Sequence, residues 1–391
     1  MQTVTDKVAR EPLWTRDFVL ISLANLFIFL GFQMLMPVIP VYATALGGSE
    51  AWAGVVAGSF TLSVVLMRPV AGNLLDKQGR RGVYLIGLLI FLLCTVAYHW
   101  VPSILTLLAL RFLHGFGWGT SSTASNTIAS DIIPKSRMGE GMGYFGLTGT
   151  LAMAVAPALG LELMSGYGFN TVFTAATVFV VLAVLVALPI NYLKPKSNSR
   201  GGKTAIIEKG ALTPGIIMLF VTITYGSIVT FLALYAAHRQ VENIGLFFTV
   251  YALSLLVCRP IFGRLADSKG YASAVLPGLL AVFAAMLILF FAHSLFAFLV
   301  AGFIYGIGFG GTQPALQAMA VRNIDPSRRG AANATFFLGF DIGIGIGSIV
   351  WGLIAEAMGY QYIYLFALIP TLIAFVLFLN AYRQVSCQKT S

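Results

Sequence analysis

Five charged side chains stand inside long apolar runs of this 391-residue chain: Arg68, Arg111, Glu162, Arg259 and Asp341, with His114 one turn from Arg111. A charge held in hydrocarbon costs at least about 2.5 kcal/mol, so each of them asks for a partner or a task. Three kinds of chemistry are open to such a set. Acid and base can pair statically, a carboxylate whose surroundings change can take up and release a proton, and either charge can meet a polar solute. Bond-making catalysis is not among them. No His-x4-Asp occurs and the polar segments hold no nucleophile–base set, which argues against a membrane enzyme. Cys94, Cys258 and Cys387 form no framework and read as packing residues, so no metal site and no cofactor is expected.

The elements that position these charges follow from composition. The chain is 58% hydrophobic and 10% charged, against about 25% charged in a soluble domain, so its natural solvent is a bilayer. Twelve apolar runs of about 20 residues or more predict twelve transmembrane helices, each able to cross about 30 Å of hydrocarbon. Nothing alternates with period two over ten-residue segments, which excludes a barrel. The first run, Phe18 to about Ala45, is too long for a signal-peptide core and reads as a retained helix. Pro37, Pro40, Pro157 and dense glycine are tolerated in lipid, where small residues let helices approach closely. Gly115-Phe-Gly117-Trp-Gly119 and Gly343-Ile-Gly345-Ile-Gly347 lack a preceding strand, so close helix packing and not nucleotide binding is their expected use.

A basic, Gly/Ser-rich stretch from Lys194 separates the sixth run from the seventh. The expected organisation is an N-terminal segment 1–17, a six-helix bundle 18–193, a linker 194–212, a second six-helix bundle 213–383 and a tail 384–391. If the N-terminus is cytoplasmic, 20 of the 24 Lys and Arg fall on inside segments and Arg239 alone falls outside. That bias places both termini in the cytoplasm of a multi-pass cell-membrane protein. It also removes nucleic acid as a partner, because the +10 charge is spread along membrane edges.

The two halves repeat each other. Arg68-Pro69-Val-Ala-Gly72-Asn-Leu74-Leu-Asp76-Lys-Gln-Gly79 returns 191 residues later as Arg259-Pro260-Ile-Phe-Gly263-Arg-Leu265-Ala-Asp267-Ser-Lys-Gly270. Phe112, Gly115, Gly117 and Gly119 return as Phe303, Gly306, Gly308 and Gly310. A duplicated apolar half is the pattern of a two-lobed transporter.

Gly72-Asn-Leu-Leu-Asp76-Lys-Gln-Gly79-Arg80-Arg81 resembles the loop signature of the major facilitator superfamily. Arg111-Phe-Leu-His114-Gly115-Phe-Gly117 is similar to its helix-4 arginine motif, and Gly31 to Tyr42, with Pro37 and Pro40, to the first helix of its twelve-helix drug–proton antiporters. The fifth run departs from the antiporter motif: Ala156-Pro157-Ala-Leu-Gly160-Leu161-Glu162 lacks two glycines and adds an acid. Arg-Pro in both repeats, with Phe340-Asp341-Ile-Gly343, resembles the branch of Gram-positive drug pumps and opine-metallophore exporters. The resemblance implies two pseudo-symmetric six-helix bundles that rock around a central site, driven by a proton gradient. A small molecule, protons and the bilayer are the expected partners, and a monomer is expected to suffice. Metallophore or metabolite export, proton-linked import and lipid flipping on the same fold stay open.

Asp341 lies eleven residues past Gly330, about 16 Å deep at 1.5 Å per residue and near the midplane. It is either a proton-coupling or cation-recognition site or the partner of Arg68, because the resemblance sets the second and eleventh helices face to face. A pair that breaks during rocking would serve as both. By the same pseudo-symmetry Arg259 should meet the fifth helix, where no acid lies at its depth; it holds backbone carbonyls, snorkels, or touches substrate. The resemblance gives Arg111 a part in proton transfer, with Glu162 as its partner or in a separate salt bridge. His114 is a hydrogen-bonded packing residue or a proton carrier. Asp76 with Gly72, Gly79 and Arg80 or Arg81 should latch the cytoplasmic side against the start of the eleventh helix. Asp267 repeats that latch without the basic pair. Asn25, Gln33, His114, Asn126, Tyr144, Tyr225, Phe336 and Phe337 are expected to line a cavity suited to amphipathic or cationic compounds.

Overall fold

The computed structural model describes residues 12–134, 137–192, 207–322, 324 and 329–387, and among them the secondary structure is helical throughout. The first half holds α1 (Arg16–Ala45), α2 (Glu50–Gln78), α3 (Arg80–Ala97), a 3₁₀ turn (Tyr98–Trp100), α4 (Ile104–Ile132), α5 (Met138–Tyr167) and α6 (Phe169–Ala187). The second holds α7 (Lys209–His238), α8 (Gly245–Lys269), α9 (Ala272–Phe290), α10 (Leu295–Val321), α11 (Arg329–Met358), α12 (Tyr360–Phe366) and α13 (Leu368–Cys387).

Eleven spans among the described residues are long and apolar enough to cross a membrane, with α12 and most of α13 joined into one span, Tyr360–Tyr382. Pro370 explains the break inside that span: it cannot donate to Phe366, and the helix restarts at Leu368. The remaining long helix is α4, which carries Arg111, His114 and a hydroxyl-rich stretch. It completes the twelve because its hydroxyls bond back to their own helix: Thr120 to Phe116, Ser121 to Gly117, Thr123 to Gly119 and Thr127 to Thr123. Bonded in this way they do not need water. The seventh helix starts at Lys209, inside the expected linker 194–212, because Glu208 N–H donates to Thr335 and Ala211 is buried.

Short loops make successive helices alternate direction within each half, and α11 runs antiparallel to α2, with Gly54 at Gly352 and Arg68 at Asp341, so both ends of the described chain lie on one face, called here the terminal face. Four tight boundaries use glycine with positive φ: Gly79 (90°) and Gly168 (84°) in the first half, Gly270 (85°) and Gly359 (99°) in the second. These pairs are 191 residues apart, and side chains rarely adopt that backbone conformation.

The glycine runs pack helices, as expected. A methyl on Gly117 would stand 2.6 Å from Phe91 N on α3, while Gly115 and Gly119 abut Phe60, Ser63 and Val64 on α2. In α11, Gly343 and Gly347 press on α7 and Gly345 on α2. Alternate glycines therefore let one helix sit between two neighbours.

The apolar core is asymmetric between faces. On the side away from the termini, Met34, Leu35, Val38, Ala53, Val56 and Ala156 of the first half join one continuous core with the second half. On the terminal side the first half keeps its own core, built on Phe18, Ile21, Leu75, Tyr84, Ala124 and Ile128. The halves are thus fused at one face and separate at the other.

Candidate functional site

The halves meet most extensively along two seams, α2 against α11 and α5 against α8, with α1 also touching α7. The seam face of α2 repeats at helical spacing as Gly54, Gly58, Thr61, Arg68 and Gly72. Gly54 lies against Ser348 and Gly352, Gly58 against Gly345 and Ile349, and Gly345 against Thr61. Next comes the Arg68–Asp341 ion pair, Nε to Oδ2 at 2.7 Å, with 27% and 12% of the two side chains exposed. One turn further a methyl on Gly72 would meet nothing within 4 Å among the described residues. The seam is closed from the far face as deep as the ion pair and open beyond it.

The second seam repeats this plan. Gly245 lies against Ala158, and Thr249 donates to Ala154 O at 3.1 Å. Arg259 follows, its Nη1 donating to Thr150 Oγ1 at 3.1 Å and its Nη2 to Gln313 Oε1 on α10 at 2.8 Å. Beyond it Gly263 and Gly146 face open space. Each arginine stands where the close contacts of its seam end, and among the described residues the glycines one turn beyond it toward the terminal face meet no neighbour.

At the closed face a carboxylate ties the halves together. Glu356 of α11 accepts from Ser49 Oγ (3.0 Å) and Ala51 N (3.2 Å), and Tyr360 OH donates to Glu50 Oε1 (3.2 Å). The first turn of α2, which Ser49 does not cap itself, is capped from the other half. Sequence reasoning passed over Glu356, whose place at the end of an apolar run reads as an interfacial charge. It also passed over Thr150 and Gln313, although the 191-residue offset applied to Asp341 leads to Thr150.

Arg111 and Glu162 are not brought together. Arg111 is 1% exposed; its guanidinium stacks 4.1 Å over the Phe60 ring, one nitrogen lies 3.9 Å from Met36 Sδ, and Nε and Nη1 have no hydrogen-bond partner. Glu162 is exposed on α5 and forms no ion pair among the described residues. The expected Arg111–Glu162 contact fails because α4 turns Arg111 inward onto α2 and α1. His114 is fully buried with both ring nitrogens near hydroxyls, Tyr98 at 2.9 Å and Thr95 at 3.4 Å, which fits a packing residue.

The basic pair behind Gly79 divides. Arg80 Nε pairs with Asp131 Oδ2 at 2.8 Å and its Nη1 donates to Leu75 O, tying α2, α3 and α4 within one half. Arg81 is exposed. The side chains of Asp76 and Asp267 and the residues just before α11 lie outside the described residues.

Of the expected cavity residues, several are helix fasteners in this conformation. Asn25 is buried, donates to Thr148 and accepts from Ser125, linking α1, α5 and α4. Gln33, Tyr225 and Phe336 are also buried. Asn126 and Tyr144 are exposed, Phe337 half-buried, and Tyr144 packs on Trp14 at 5.0 Å between ring centres. Polarity within an apolar run marked these residues, but that signal does not separate a cavity wall from a helix–helix bond.

Two six-helix bundles, closely packed through small residues at one face and parted at the other, are the architecture of a multi-pass membrane transporter. Comparison with known proteins makes the class specific. The Major Facilitator Superfamily profile matches residues 21–243 and 215–386. The chain belongs to that superfamily. It is 26% identical over 324 residues to a multi-drug resistance efflux pump PmrA homolog of Lactococcus lactis, covering 78% of this chain and 80% of that one. It is 24% identical over 355 residues to the quinolone resistance protein NorA of Staphylococcus aureus, covering 85% and 88%. Among solved structures, a bacterial homolog of the lysosomal transporter Spinster, inward-facing and unoccupied, matches with TM-score 0.76 at 18% identity over 95% of this chain and 98% of that one. A nucleoside transporter, NupG, matches with TM-score 0.73 at 15% identity over 93% and 98%. At these identities the structures speak to fold alone.

Proposed function

We propose that this protein is a proton-coupled exporter of small amphipathic molecules, sitting in the cell membrane with both termini in the cytoplasm and acting as a monomer. The single observation that carries the reading is the pair of seams that close at one face and part at an arginine on each side. The excess of Lys and Arg on the terminal side makes that side cytoplasmic, so the described state faces inward. Drug-efflux relatives at 24–26% identity support export.

In this reading Asp341 carries the proton. Facing inward it is ionised and held by Arg68, so it does not attract a cation while the pair is intact. Rocking separates α2 from α11 at the far face and exposes Asp341 to the outside, where protonation removes its charge and frees Arg68. Return to the inward state delivers the proton to the cytoplasm and re-forms the pair. One bistable contact thereby couples proton entry to substrate exit.

The test is transport in proteoliposomes under an imposed pH gradient, with lipophilic cations, quinolones and metal-chelating opines as probes. Asp341→Asn should keep substrate exchange at equal pH and lose gradient-driven accumulation. An Asn variant that still accumulates substrate at the wild-type rate overturns the proton role.

A further inference from the structure

Arg259 has chemistry left over. A guanidinium carries five N–H donors and a permanent positive charge. Here it meets two neutral acceptors, Thr150 at 3.1 Å and Gln313 at 2.8 Å, while its buried Nε has no hydrogen-bond partner. No carboxylate pairs with it among the described residues, whereas Arg68 on the companion seam is neutralised by Asp341. Among the described residues the charge of this seam is uncompensated.

The surroundings say what would compensate it. Arg259 is half-buried, and one turn toward the terminal face Gly263 and Gly146 border open space, so a solute reaches the guanidinium from that side. Thr150 and Gln313 stand on helices of different halves and fix the fork in place without consuming its charge. An anion displaces neutral acceptors readily, because charge-assisted hydrogen bonds are about twice as strong. Farther into the second half Phe309, Phe340 and Phe337 follow one another at 6.1 Å between ring centres, the last two half-buried. Phe309 lies one helical turn before Gln313 on α10, so this apolar run begins a turn from the residue that holds the guanidinium.

We infer that Arg259 is an anion subsite that takes the carboxylate of an amphipathic substrate entering between α5 and α8. This deepens the exporter reading and rests on it. It narrows the substrate class to molecules with an apolar body and an anionic group, zwitterions included.

Matched pairs of probes test it on the full chain in detergent: a quinolone and its methyl ester, and a fluorescent fatty acid and its methyl ester. In the wild type at least one acid should bind about tenfold or more tightly than its ester, the span of one charge-assisted contact. Arg259→Gln should erase that preference by weakening the acid alone. Gln313→Glu, which offers the guanidinium an internal carboxylate, should erase it too by weakening the acid more than the ester. The inference falls if no acid out-binds its ester, or if the variants weaken acid and ester alike. Transport of the same probes under a pH gradient separates the two readings. Movement of esters without acid preference keeps the exporter and removes the subsite. Acid preference in binding without gradient-driven movement of any probe keeps the subsite and removes the coupling.

Discussion

The two seams are one design executed twice with one change of residue. Arg259 follows Arg68 by 191 positions, and Asp341 follows Thr150 by the same 191. Each arginine therefore meets the symmetry-equivalent position across its seam, an aspartate in one case and a threonine in the other. Duplication supplied the scaffold, in which small residues close the far half of each seam, glycines on both helices in one and Gly245 on Ala158 in the other, and an arginine stands at the opening. Divergence then gave one seam a balanced ion pair and left the other with an arginine that meets only neutral acceptors among the described residues. A fully symmetric molecule would have two ion pairs or none.

Making the seams alike tests this in both directions. The largest effect is expected from Asp341→Thr, which copies the first half's residue into the second. Arg68 would then be a partly buried cation with a neutral neighbour. Removing one partner of a buried pair costs about 3–5 kcal/mol, and the 27% exposure of Arg68 puts the expected loss near the lower end, about 3 kcal/mol. Thermal unfolding in detergent reads it, and a variant as stable as the wild type would mean the pair contributes little in this state.

The reverse change, Thr150→Asp, gives Arg259 an acid where a hydroxyl now stands at 3.1 Å. A hydrogen bond between charged partners gains about 1–3 kcal/mol, so the variant should resist unfolding and favour the inward-facing state. Spin labels on the terminal-face ends of α5 and α8 should report a larger inward-open fraction. An unchanged distribution would show that the second seam does not limit rocking.

The sequence disclosed the scaffold more readily than the contacts. Helix count, duplication and the roles of paired glycines follow from apolar run length and from residues such as Gly117, whose lack of a side chain has a direct packing cause. The Arg68–Asp341 pair was legible as one of two alternatives because both residues are charged and lie at matching depth. Thr150 was not, since a threonine in an apolar helix bonds its own backbone in most places and carries no sign of a partner. Arg111 misled for the opposite reason. Its charge predicted an acid, and Glu162 was the available one, but an aromatic face and a thioether surround it instead. The terminal-face corners repeat the lesson: Arg80 pairs with Asp131 in the first half, while their 191-offset counterparts, Tyr271 and Arg322, meet as ring and cation at 5.3 Å. Position is inherited there and chemistry is not.

The smallest expected effect concerns the closed ends of the seams. Glu356 reaches across to cap α2 at Ser49 and Ala51, but its counterpart 191 residues earlier, Ser165, bonds back to Glu162 O on its own helix at 3.0 Å. One seam is latched at its end by a carboxylate that reaches between halves, whereas at the end of the other Gly245 packs on Ala158 and the nearest bond across is the neutral one from Thr249 to Ala154 O. Glu356→Ser would make the two ends equivalent. Loss of a helix cap at an exposed site costs about 0.5–1 kcal/mol, which corresponds to roughly a two- to fivefold gain in the population open at the far face. Spin labels at the far ends of α2 and α11 should broaden toward longer distances, and labels on α5 and α8 should follow them if the halves move as rigid bodies. Broadening confined to α2 and α11 would instead mean that the first seam frays alone, and the symmetric rocking of the two bundles would have to be replaced by local opening at one gate.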